Sequence, residues 1–378
     1  MKQEKKIFEK LWFWFLVFLL LIFLVCFFPY LFTSRSFFSL DFNKTGPIGD
    51  TIGGIMGPFI AIIAAFLTFI AFWVQYQFNK EQINRFDSQE TDLKVERFEN
   101  KFFELLKIHR DNVQEFEIVG FHNQDDKVKG RIIFVSMVDE LRLSYRTAEM
   151  ANKILIGKGV VKEEYYSKTH LIKLAYLVFF DGVEEHKLEI NDKLGSSSKY
   201  KVLGEYYNPL LKEFLNIVKS IQAQFRHGFH SFQIQFIIKD STLNGIPIKQ
   251  ATEVLNIPNI KYMPFSGHNS RLGHYFRHLY QMVKYVAMQD EKVIENKYSY
   301  IKTIRAQLSN YEQVLLYYNA ITVFGQPWIR EKYLTEYRMI KNLPLYVTDF
   351  GPLPKEILPE TNSLGKKLFE VDEVSSGD

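Results

Sequence analysis

Leu11-Trp12-Phe13-Trp14-Phe15-Leu16-Val17-Phe18-Leu19-Leu20-Leu21-Ile22-Phe23-Leu24-Val25-Cys26-Phe27-Phe28 contains no charged side chain and no polar amide. A second apolar run, Ile55 to Val74, follows after a short gap. A helix needs roughly 20 apolar residues to cross the hydrocarbon core of a bilayer. Both runs reach that length once their flanks are counted, and the rest of the chain is charged and water-compatible. The expected architecture is mainly α: a two-span N-terminal transmembrane helical hairpin, a long stalk helix, and a large α-helical cytoplasmic domain. At most a few short strands are expected, around 230–250. The expected boundaries are a cytoplasmic tail at 1–10, spans at 11–32 and 51–76 and an external loop at 33–50 between them. A stalk helix at 77–118, a helical domain at 119–367 and a disordered acidic tail at 368–378 follow.

Charge sets the orientation. Lys2, Lys5, Lys6 and Lys10 precede the first span, and Lys80 and Arg85 follow the second. The loop between them balances Arg35 and Lys44 against Asp41 and Asp50. Basic flanks stay on the cytoplasmic side, so both termini are expected on the inner side of the plasma membrane. Phe28-Pro29-Tyr30-Leu31-Phe32 offers no small-residue cleavage site, so the first run reads as an uncleaved anchor. Gly49, Gly53 and Gly57 recur every four residues at the start of the second span. That spacing fits a helix-packing seam, within the hairpin or between protomers. It fits equally a flexible entry to the helix, since Gly46-Pro47 is a turn signal.

The net charge of +4 is too mild to argue for nucleic acid. The single cysteine, Cys26, lies in the first run, which leaves the polar bulk without disulfides or a cysteine metal site. No Gly-rich phosphate loop appears outside the apolar segments, and no cofactor is expected.

Helical periodicity organises the polar part. Phe98, Phe102, Leu105, Leu106, His109 and Val113 share one stripe. Helices are expected at 131–151, 165–180, 208–225, 271–287, 298–322 and 329–341, and one alternating strand at 232–238. Gly195-Ser196-Ser197-Ser198 reads as an internal linker.

Chemistry concentrates between Ser266 and Tyr280. His268, Arg271, His274, Arg277 and His278 place three histidines and two arginines within eleven residues. On a helix, His268, Arg271, His274 or Tyr275, and His278 share a face by three- and four-residue steps. Three readings stand. Arg271 and His278 match the loose Arg-x4–6-His spacing of HEPN ribonucleases, in which a histidine moves protons and an arginine holds phosphate. His274 and His278, four apart, suit a metal, but no carboxylate lies between them and no third ligand is near. The third reading is a buried polar network that joins helices. A second cluster holds Arg305, Ser309 and Glu312 on one face. Glu312 sits among Leu308, Val314, Leu315 and Leu316, so it needs a cation, with Arg271, Arg277 or Arg305 as candidates.

The chain also resembles a family. Phe98 to His109 resembles the opening signature of the phage abortive infection proteins, the AbiC-like family. Gly267 to Tyr280 is similar to its central motif, and Tyr298 to Tyr318, with Arg305 to Ser309 and Glu312, to its third block. Lys129-Gly130-Arg131 with Phe134 is similar to a weaker one. The resemblance spans roughly 98–345. It implies a bacterial antiphage protein that limits propagation by harming or stalling the infected cell.

Two mechanisms follow. In one, the domain is a metal-independent, HEPN-like ribonuclease with Arg271, His274, His278 and Glu312 as catalytic candidates, and His268, Arg277 and Arg305 hold RNA. In the other, a non-enzymatic sensor domain changes its oligomeric state and the two-span hairpin disrupts the membrane. The partners expected are the lipid bilayer, further copies of the chain as a homo-oligomer, RNA under the first mechanism, and a phage component or upstream sensor protein.

Overall fold

The computed structural model describes residues 13, 15–20, 22–24, 27, 48–123, 125–183, 208–229, 231–238, 249–258 and 260–370. The protein is mainly helical. Two compact units are present, Met1–Leu93 and Lys94–Asp378.

In the first unit, the described positions between 13 and 27 are helical. The remainder of the expected first span, with Cys26, and the loop up to residue 47 lie outside the described residues. Helix α1, Ile48–Gln114, is 67 residues long and carries Pro58 inside it. Gly49, Gly53 and Gly57 all fall within it, and a Cβ at Gly53 or Gly57 would meet nothing within 4 Å. Phe59, Ile60, Ile62, Phe66, Phe69, Phe72 and Trp73 are exposed. Among the described residues this is the one helix long and apolar enough to cross a membrane, by length and composition.

The second unit begins with the last turns of α1. Phe98, Phe102, His109 and Val113 are buried, with Leu105 and Leu106 packed partly against the core. This is the stripe expected from four-residue spacing. Phe98 meets Tyr300 edge-on at 4.9 Å and stacks on Tyr285 at 5.3 Å.

The expected stalk to 118 stops at Gln114. A two-stranded hairpin follows, β1 (Glu117–Val119) against β2 (Lys127–Lys129). Periodicity cannot reveal three-residue strands, and the 125–130 stretch reads as a polar loop. Lys127 and Lys129 both reach Glu117 at 2.8 Å, and their hydrogen bonds hold its carboxyl down at about 2.

Helix α2 (Ile132–Gly157) is the centre of the unit. It packs against α3 (Lys168–Asp181), α4 (Asn208–Arg226) and α7 (Asn310–Ala320). It is longer than expected and buried on most sides rather than along one stripe, because three helices and a sheet surround it. Ile132, expected on the buried face, is 63% exposed. The Ser144 hydroxyl donates to the Ala175 carbonyl at 2.9 Å and ties α2 to α3.

The expected strand is β3 (Ser231–Ile238), paired antiparallel with β4 (Lys249–Asn256) from Ser231↔Asn256 to Ile238↔Lys249. The Gly195–Ser198 linker lies outside the described residues. Helix α5 (Asn269–Ala287) then leads to α6 (Lys297–Ala306) and α7.

Two expected helices need correction. The single helix at 298–322 is broken between Ala306 and Asn310, where Ser309 caps a new start. Ser309-Asn310-Tyr311-Glu312 is a capping-box sequence, a signal overridden in the sequence reading by the apolar run around it. The helix expected at 329–341 is only α8, Gln326–Arg330. Lys332 and Arg338 adopt φ of 57° and 53°, which no helix accommodates. A short α9 (Pro354–Ile357) follows. Leu368 and Phe369, expected in a loose tail, are buried in the core, and 371–378 lie outside the described residues.

Candidate functional site

Helix α5 carries the densest cluster, and its start is fixed by close backbone approach. Gly182 ends α3 at φ 80°, and Gly267 precedes α5 at φ 90°. A Cβ on Gly182 would lie 2.5 Å from the Ser266 carbonyl oxygen, and one on Gly267 would lie 2.8 Å from the Asp181 carbonyl. The Val183 N–H donates to Phe265 O and the His268 N–H to Phe180 O, each at 2.9 Å. Asn269 Nδ2 donates to Asp181 Oδ1 at 3.0 Å. The two chain segments are thus laced together at α5's first residue.

His268 is the N-cap residue of α5 rather than a member of its stripe. Its Nε2 lies 2.7 Å from Glu140 Oε2, and both side chains are buried. The second carboxylate oxygen of Glu140 accepts the Phe265 N–H at 2.7 Å. Phe265 has φ 63°, an unusual value for a large side chain, and the Glu140 bond helps hold it there. The rings of Phe179 and Tyr262 close over His268 at 4.8 and 5.5 Å. Burial and the neighbouring Glu140 charge push the Tyr262 hydroxyl well above the ordinary phenol range.

One turn further, α5 turns Leu272, Tyr275, Leu279 and Val283 into the core. The Tyr275 hydroxyl donates to Glu312 Oε1 at 2.8 Å, and the Ser309 N–H donates to Glu312 Oε2 at 2.7 Å. Glu312 is buried at the third position of α7, with its cation supplied by Arg131 at 3.8 Å. Arg131 also donates to the Gln307 carbonyl at 2.5 Å. The partner expected for Glu312 was Arg271, Arg277 or Arg305. Arg131 takes that place because the break before α7 turns the carboxylate toward the start of α2. Burial and the Glu312 charge raise the Tyr275 hydroxyl well above its usual range.

His278 stacks on His109 of α1, with ring centroids 5.8 Å apart and planes 11° apart. The same His109 ring lies 5.0 Å from Tyr275. The four ring nitrogens of the two histidines are buried without a hydrogen-bond partner among the described residues. Burial, then the charges of His278 and Arg131, pull His109 down to about 4, and burial lowers His278. Both rings are therefore neutral at neutral pH.

The remaining candidates diverge. Arg271 donates through Nε to the Glu117 carbonyl at 3.2 Å, on the β1 hairpin. His274 is exposed, with its Nδ1 at 3.4 Å from Arg277 Nη2. Arg277 donates from Nε to the Gly273 carbonyl at 2.9 Å. Arg305 is buried, donating to the Arg338 carbonyl at 2.9 Å and lying over the Tyr298 ring. So Tyr275, Glu312, Arg131, His109 and His278 gather in one cluster, with Arg131 at its exposed edge. His268 and Arg305 lie inside in separate ones, and only His274 and Arg277 present their polar ends outward. No group of three or more His, Cys, Asp or Glu side chains is placed to hold a metal among the described residues.

The role of Glu140 and the pairing of His109 with His278 are not legible in the sequence, and Tyr275 is legible only as the alternative to His274 on the α5 stripe. His109 was visible as the polar member of the Phe98 stripe, and Glu140 as a lone acid on a buried helix. Neither signal names a partner.

Residues 267–346 match the family model described as Putative phage abortive infection protein. The match takes in α5 through the turns after α8, including the central and third blocks of the resemblance. The opening block at 98–109 and the Lys129–Phe134 block fall outside it. No curated protein and no solved structure matches the chain.

Proposed function

We propose that the chain is a membrane-anchored antiphage effector of the abortive infection type. The observation that carries this reading is the abortive-infection match over 267–346. The exposed apolar stretch of α1 supports anchoring, since side chains such as Phe66, Phe69 and Phe72 gain by entering lipid. The paired-span hairpin, with both termini cytoplasmic, remains the arrangement the flanking charges favour.

Of the two mechanisms, the non-enzymatic one is the better supported. A ribonuclease needs a histidine nitrogen and an arginine within reach of one phosphodiester. The Nε of Arg271 donates to the Glu117 carbonyl, and the His278 nitrogens are buried against His109. Oligomeric switching that repacks the Gly49, Gly53 and Gly57 face of α1 would breach the membrane and halt phage growth. The ribonuclease reading keeps one observation in its favour: His278 is a neutral imidazole with no partner, the state a general base requires.

The test is phage plaquing in cells expressing the full chain, with dye entry and RNA integrity followed after infection. Plaque reduction with early dye entry, abolished by Phe66→Asp with Phe69→Asp and kept by Arg271→Ala, supports the membrane mechanism. RNA cleavage that needs Arg271 and His278 replaces it with the ribonuclease. Unreduced plaquing across a broad phage panel overturns the defence role.

A further inference from the structure

The opposite face of α5 borders a cavity of about 380 Å³ that the network around Tyr275 and His278 does not use. That volume falls in the range of ligand pockets, about 300–1,000 Å³. The wall is aromatic. Phe180 packs on Phe324 at 4.5 Å, and Tyr280 meets Trp328 edge-on at 5.4 Å. Asn269, Arg277, Gln281 and Asn319 interrupt it, and two of these have polar atoms left over for a ligand.

The first is Asn319. It is buried, and its Nδ2 donates to the Tyr176 hydroxyl at 2.9 Å. Its Oδ1 has no donor among the described residues. This oxygen lies against Gly325, also on the cavity wall, where a Cβ would approach it to 2.4 Å. Even an alanine at 325 would crowd the space beside that carbonyl. A buried amide oxygen without a donor is costly to keep. A ligand N–H that reached it would recover that cost.

The second is Arg277 at the rim. Its guanidinium is exposed and has no carboxylate within ion-pair distance among the described residues. Its neighbour His274 presents a second nitrogen beside it. Gly273 lines the cavity one turn before Arg277, and a Cβ there would come within 2.9 Å of Asn269 Oδ1 and 3.9 Å of Arg277 Nη2.

A flat ring for the aromatic wall, an N–H for Asn319 and an anion for Arg277 together describe one ligand class. We propose that this cavity binds a nucleoside monophosphate. The base lies against the aromatic side chains, its amino or ring N–H donates to Asn319 Oδ1, and the phosphate meets Arg277 at the rim. The site is independent of the membrane and of the defence mechanism, so its failure leaves the proposed function standing.

The experiment is calorimetric titration of the full chain in detergent with AMP and GMP, and with adenosine and inorganic phosphate as partial ligands. AMP or GMP binds and adenosine binds more weakly. Arg277→Ala weakens the nucleotide about ten-fold or more, the loss expected for a charge-assisted hydrogen bond, and changes adenosine little. Gly273→Leu, which adds a side chain on the half-buried, cavity-lining side of α5 beside Asn269 and Arg277, removes binding of both. Far-ultraviolet circular dichroism and the melting temperature check that each variant is folded. No binding by either nucleotide at millimolar concentration overturns the proposal. So does binding that folded Arg277→Ala and Gly273→Leu leave unchanged. A 5′-phosphorylated oligoribonucleotide is run beside AMP. Binding by the oligonucleotide with none by AMP overturns the assignment to a free nucleotide and gives the cavity to an RNA end.

Discussion

His109 on α1 and His278 on α5 stack face to face at 5.8 Å, and no nitrogen of either ring has a hydrogen-bond partner among the described residues. The pair joins the last turns of α1 to the first helix of the family-matched segment. It holds only while both rings are neutral, since a second buried positive charge beside the first, with Arg131 near, is strongly disfavoured.

Stability should therefore fall with acid. His109 titrates near its ordinary value when unfolded and at about 4 when folded. Between those values the unfolded chain binds more protons, so stability is full above about pH 6.5 and is lost as pH falls toward 4. A shift of that size corresponds to about 3 kcal/mol. His109→Phe keeps the stacking and should flatten the slope between pH 6.5 and 4 in denaturant titrations of the full chain. An unchanged slope would assign the acid limb to other groups.

The Glu140–His268 pair predicts a large loss from a single change. His268→Ala takes the imidazole from the buried Glu140 carboxylate and leaves it the Phe265 N–H and the neighbouring Tyr262 hydroxyl. The expected cost is about 3 kcal/mol. His268→Ala with Glu140→Leu should recover much of it, because no buried charge is then stranded. Chemical denaturation of the four species reads the coupling directly.

Tyr275→Phe and Glu312→Ala test the second network. Removing the Tyr275 hydroxyl leaves Glu312 its cap bond and Arg131, and should cost about 1–2 kcal/mol. Glu312→Ala strands the Tyr275 hydroxyl and the Ser309 N–H together and should cost about 3 kcal/mol. If the two losses simply add in the double variant, the hydrogen bond between them carries nothing.

Gly182→Ala and Gly267→Ala attack one junction from two sides. Each forces a side chain into backbone at a positive φ and should cost about 2–4 kcal/mol. The double variant should cost less than the sum, since either change alone opens the α3–α5 contact. Melting temperatures of the three variants decide this.

The periodic part of this fold was legible in the sequence. The stripe Phe98–Phe102–His109–Val113 is buried, α4 and α5 lie within two residues of their expected limits, and β3 is where alternation put it. What failed was local. The Ser309 cap and the left-handed Lys332 and Arg338 broke helices that apolar content alone would have continued. The candidate site was legible as residue types only. His268 and His278 share a helical stripe on paper, yet one caps α5 against Glu140 and the other stacks on a histidine more than 150 positions away in the chain.

Composition and spacing by themselves determined that α1 would carry a long lipid-compatible stretch, that the remainder would be helical, and that histidine and arginine would crowd one segment. These are properties of neighbouring residues, and a helix repeats them every three or four positions. Only the tertiary structure decided which of those side chains are spent on partners and which are left over. Arg131 reaches Glu312, Glu140 reaches His268, and Arg277 stays at the rim of an aromatic cavity, because the closure of distant segments fixes who meets whom.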